Sequence, residues 1–128
     1  MKKFFTIIIC IFLIIFFSIK VYFYTYENLA NKRIAQVIEL QGANNSEYEI
    51  TYNSFNYTQG FWDKDIIFKN DKEIKYEYSF NRKYNIVKVF AIENKTHLPV
   101  TNEKTKYPLL EVKFNNKNEI INKRELDL

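Results

Sequence analysis

The chain has almost none of the residues from which catalytic and metal sites are most often built. Cys10 is its one cysteine and His97 its one histidine. A disulfide framework and a paired-cysteine zinc site are therefore excluded, and a zinc ion would have to rely on carboxylates and water. Ser46, Ser54 and Ser79 sit in no nucleophile-elbow motif, so a serine–histidine–aspartate arrangement has no anchor in the sequence. With only Gly42 and Gly60, neither a phosphate-binding glycine loop nor a dinucleotide fingerprint can form. An excess of positive charge is also missing where nucleic acid would need it. Lys2, Lys3 and Lys20 flank the apolar head; the remaining 16 Lys and Arg face 15 Asp and Glu, which leaves the rest of the chain at +1. The sequence therefore predicts no catalytic residue, no metal, no cofactor, no nucleic-acid partner and no enzymatic activity. Any folded domain must be held by its apolar core alone.

What the sequence does have is Phe4–Ile19, sixteen residues without a charge. Bulky Val21-Tyr22-Phe23-Tyr24 stands where the small residues of a signal-peptidase site belong, which argues against a cleaved signal. Ile9 before Cys10 argues against lipid attachment, since that position is normally small. A transmembrane helix remains. At 1.5 Å per residue the stretch rises about 24 Å, and snorkelling by Lys20 carries it through Tyr22, Tyr24 and Tyr26 into the headgroup zone. Residues 1–26 are thus expected to anchor the chain in a cell membrane, with Lys20, Tyr22, Tyr24 and Tyr26 at the interface. Lys2 and Lys3 favour a cytoplasmic N-terminus, and residues 27–128 form an extracytoplasmic domain.

That domain begins with a helical pattern. Ala30, Ile34, Val37, Ile38 and Gln41 share one face, with Leu29 beside them and Lys32, Arg33, Gln36 and Glu39 opposite; Gly42 suits the C-terminal cap. The period then changes to two. Tyr48, Ile50 and Tyr52 alternate with polar residues, and Phe61–Lys69 makes a second strand. Ile74, Tyr76, Tyr78 and Phe80 give a third, Asn85–Glu93 a fourth, and Leu110, Val112 and Phe114 a last one, with Glu119–Leu128 either a short strand or a frayed tail. Short connections imply antiparallel pairing. The expected fold class is α+β: a transmembrane helix, one amphipathic helix, and a mainly antiparallel sheet of four to five strands packed on it.

Two sets of residues invite a functional reading. Asp63 and Asp65 share a strand face, with Glu73 across the following turn, although no calcium-loop spacing surrounds them. The aromatic residues exceed what a core of this size needs. Trp62, with Phe61 and Tyr57, is the expected contact for a partner, beside Gly60. His97 reads as an exposed loop residue before Pro99.

Several of these features together resemble a family of small, single-span, membrane-anchored bacterial proteins of unknown function, mostly from Gram-positive organisms. The resemblance rests on the Lys-bearing N-terminus, the single span and the helix after it. It also rests on Gly60-Phe61, on Phe68-Lys69-Asn70-Asp71-Lys72-Glu73-Ile74-Lys75-Tyr76-Glu77-Tyr78, and on Lys106-Tyr107-Pro108-Leu109. It implies a cell-envelope protein whose sheet-and-helix domain is similar to small inhibitor or propeptide modules, and it assigns no catalytic residue. The expected function is a binding, inhibitor or immunity module acting by contact with an envelope protein or peptide. The alternative is a protein that binds or hydrolyses cell-wall glycan through the strand carboxylates and aromatics.

Overall fold

The structure, a computed structural model, describes residues 1–126. One helix, α1 (Lys2–Leu40), runs without a break through the apolar head and the amphipathic segment. Six strands follow: β1 (Tyr48–Asn56), β2 (Phe61–Phe68), β3 (Ile74–Asn81), β4 (Ile86–Glu93), β5 (Leu110–Phe114) and β6 (Ile120–Glu125). They form one antiparallel sheet in chain order.

The N-terminal part of α1 is long and apolar enough to cross a membrane, and none of its most apolar window is buried by the rest of the chain. The two polar residues of the apolar run satisfy themselves: the Thr6 and Ser18 hydroxyls donate to the carbonyls of Lys2 and Ile14, at 2.9 and 2.8 Å. A hydroxyl turned back in this way leaves no unmet donor on the apolar surface of the helix.

The C-terminal part of α1 lies on the sheet. Ala30, Ile34, Val37 and Ile38 are buried against Ile66, Phe68, Tyr76, Tyr78, Val87, Val89 and Val112. Gly42, at φ +76°, ends the helix: its N–H reaches the Glu39 carbonyl at 3.0 Å and the Ala43 N–H reaches Ile38 at 3.1 Å. This pair of bonds is the Schellman closure, which needs a left-handed residue.

Four expectations are corrected. Tyr26 is a core residue rather than an interfacial one, because the sheet covers it. It is 2% exposed, its ring stacks on Trp62, and its hydroxyl lies 3.1 and 3.2 Å from the Gly60 and Phe80 carbonyls while accepting the Arg82 N–H. Arg33, assigned to the polar face, is buried. Its guanidinium donates to Asn85 Oδ1 at 3.1 Å, Gln36 Oε1 at 3.2 Å and Asn118 Oδ1, and lies over the Phe114 ring. The sheet has a sixth strand, because β6 pairs with β5 although all its residues are exposed. An extra residue in β1, between Ile50 and Tyr52, inverts the alternation. Tyr48 and Ile50 pair with Phe68 and Ile66 on the helix-facing side, whereas Tyr52 pairs with Asp65 on the other.

A meander of this kind gathers alternate turns at one edge. The β1–β2, β3–β4 and β5–β6 turns all lie at the edge marked by Tyr26 and Arg82, the one nearest the apolar half of α1. The β2–β3 turn and the long 94–109 connection lie at the far edge. From that far edge Val100, Tyr107 and Leu109 return to the core, tied by Asn102 to Leu109 and Leu126.

Candidate functional site

α1 covers one face of the sheet, and among the described residues no element covers the other. On the open face the strand register sets side chains in rows. Tyr52, Asp65, Glu77 and Phe90 stand opposite one another across β1 to β4, and beside them run Ser54, Asp63, Ser79, Lys88 and Glu111 across β1 to β5. Phe61 closes one end, and with Tyr52, Asp63, Asp65, Glu77, Ser79, Lys88 and Phe90 it lines an open cleft of about 430 Å³.

The electrostatics follow from the register. Asp65 and Glu77 are direct cross-strand partners, an arrangement in which like charges repel. The Asp65 side chain is only 17% exposed. Burial, then the neighbouring Glu77, pushes its pKa up to about 6, against the opposing pull of Lys75 at 3.8 Å. Asp63 accepts from Asn56 Nδ2 at 2.9 Å, so its carboxylate is fixed. Lys88 sits at the rim and leans to Glu111, 3.9 Å away, which Arg124 also holds. The cleft thus offers three carboxylates and three aromatic rings. Among the described residues no group of three or more His, Cys, Asp or Glu is placed to hold a metal ion.

The expected contact residues do not come together. Trp62 is buried rather than exposed, because strand alternation turns it toward the helix; its Nε1 donates to Asn53 at 2.7 Å. Phe61, one position earlier, points into the open cleft. Tyr57 is exposed but lies in the β1–β2 turn, against Phe23 and Phe55. Of the carboxylates, Asp63 and Asp65 share a face as expected, while Glu73 is four residues along β3 from the partner of Asp65, roughly 13 Å away. Glu77 takes its place. Glu77 and Phe90 are not evident in the sequence because only the pairing of β2, β3 and β4 brings them to Asp65, and Tyr52 reaches it only through the bulge in β1. Of the interface residues, Tyr22 and Tyr24 are exposed, and Lys20 leans back over the Phe16 ring. His97 is an exposed loop residue with φ 59°.

No curated protein and no solved structure matches the chain. Residues 2–78, which take in α1, β1, β2 and the first part of β3, match a family described as protein of unknown function, DUF3139. The match takes in the apolar helix, its docking segment and all three of the cleft's carboxylates, and it covers more than half of the sequence: the chain belongs to the DUF3139 family.

Proposed function

We propose that the chain is a membrane-anchored, non-enzymatic binding module whose open sheet face takes an extended, basic segment of a partner protein or peptide in the cell envelope. α1 serves as an uncleaved anchor with its N-terminus in the cytoplasm and the sheet outside. In support, a signal-peptidase cut after the apolar run would fall beside Tyr26, which the core needs. The observation that carries the binding reading is the open cleft itself. Three carboxylates are clustered there at an electrostatic cost, with Tyr52, Phe61 and Phe90 providing apolar contact area. Groups held against their own repulsion are a feature of binding sites more than of folding cores. A lysine or arginine side chain entering between Asp65 and Glu77 would relieve that repulsion.

A photo-crosslinking side chain at position 52 of the full chain, in native membranes, tests this. A discrete adduct with a basic segment is expected, and its yield should drop when Asp65→Asn and Glu77→Gln are combined. An adduct yield unaffected by those substitutions, or none above background, would reject the reading.

A second reading, glycan hydrolysis, draws on one observation: a carboxyl group with a pKa near 6 in an aromatic-lined cleft has the property of a general acid. Turnover of cell-wall glycan by the full chain that is abolished by Asp65→Asn would establish it.

A further inference from the structure

At the membrane-proximal edge of the sheet lies a second cleft of about 550 Å³, bounded by α1 and by the β3–β4 and β5–β6 turns. Its charged lining is of one sign. Arg33, Arg82 and Lys83 line it, Lys113 stands at its rim, and no carboxylate is among its lining residues. Among the described residues none of the four has an ion-pair partner, although other basic residues of the sheet do.

Arg33 makes the absence of a counter-charge significant. It is 2% exposed, and burial works against its charge. All its hydrogen-bond partners are neutral amides, and three of its five N–H groups are engaged. Asn85 and Asn118 are shaped to hold it. Both have left-handed backbones, at φ 54° and 66°, and Asn85 Nδ2 donates to the Phe114 and Asn115 carbonyls, which turns its Oδ1 toward the guanidinium. A buried cation in a fixed orientation beside three surface cations concentrates positive charge in one cleft.

We propose that this cleft binds a phosphate group. Four unpaired cations exceed what one carboxylate neutralises, and the volume admits an organic phosphate. The source the geometry favours is a phospholipid headgroup, which presumes the membrane-anchored reading but not the peptide-binding one. Arg82 marks the lower rim: its Nη1 donates to Thr25 Oγ1 at 3.3 Å and its guanidinium lies over the Tyr22 ring, just beyond the end of the apolar run. Basic pockets at that level recognise anionic headgroups.

The test follows the Arg33 Nε–H resonance of the full chain in two settings at constant ionic strength. One compares nanodiscs of phosphatidylcholine with nanodiscs that also contain phosphatidylglycerol. The other titrates inorganic phosphate into neutral detergent micelles. A shift in the anionic nanodiscs alone identifies a headgroup; a saturable shift with inorganic phosphate identifies a soluble phosphate compound. In either case Lys83→Gln combined with Lys113→Gln, at two exposed positions that leave the core intact, should weaken binding roughly 30-fold. No shift in either setting, or a shift the double variant leaves unchanged, overturns the proposal. The two clefts share no lining residue, so this outcome is independent of the crosslinking result.

Discussion

At the scale of single residues the most consequential side chain is Asp65. Its folded pKa, near 6, lies above the value of about 4 expected in an unfolded chain. Between those values the folded protein holds a proton that the unfolded chain has released, so stability falls as pH rises through that window. Above it the cost is complete, on the order of 2–3 kcal/mol. Asp65→Asn should therefore stabilise the protein by on the order of 2 kcal/mol at pH 7.5 and leave it unchanged at pH 3.5. Urea unfolding of both proteins at the two pH values checks this; an equal effect at both would show that charge is not the cause. The sequence placed Asp63 and Asp65 together, because a strand period of two needs only local pattern. It did not place Glu77 beside them, since β-pairing register is a long-range property. Trp62 shows the same limit: its composition suggested a surface contact, yet its place in the alternation of β2 made it core.

At the scale of elements, α1 is joined to the sheet by more than its apolar stripe. Arg33 draws the β3–β4 and β5–β6 turns onto the helix through Asn85 and Asn118, and Gln36 adds a bond from its Nε2 to the Asn118 carbonyl at 3.2 Å. Asn85→Gly and Asn118→Gly each keep the left-handed backbone accessible while removing a hydrogen bond to a buried charge. Each should cost about 1.5–3 kcal/mol. Because both serve one guanidinium, the double variant should cost less than the sum of the two. Strict additivity in a double-mutant cycle would show that the turns dock independently of Arg33. The helix and five of the strands were legible in the sequence because each repeats an apolar residue at its own period. β6 was legible only as either a short strand or a frayed tail, because Ile-Ile-Asn-Lys-Arg-Glu carries no alternation and none of its side chains is buried; its pairing with β5 is through the backbone. The burial of Arg33 was equally hidden, since an arginine beside an apolar stripe reads as polar until a partner element is known.

At the scale of the whole molecule, the boundary between the apolar helix and the sheet domain decides what each half can do alone. The composition change near Glu27 suggested a division after residue 26. Packing crosses that division. Phe23 lies against Phe55 and Tyr57 with ring centroids 5.1 and 5.9 Å apart, and Tyr26 sits among Phe55, Trp62 and Phe80. The helix is continuous through this region, so its apolar half passes directly into the core without a hinge, and the orientation of the sheet relative to the helix is fixed by those rings. A chain starting at residue 22 keeps the aromatic cluster, whereas one starting at residue 27 loses Tyr26 and with it the hydroxyl that meets Gly60, Phe80 and Arg82. Removing a buried aromatic side chain of this size costs about 3–5 kcal/mol, a large share of the stability of a domain this small. The longer fragment should therefore unfold cooperatively in urea, and the shorter one should unfold at much lower denaturant or fail to fold. Equal midpoints for the two would mean that the domain ends where the composition changes, and that Tyr26 is dispensable to it.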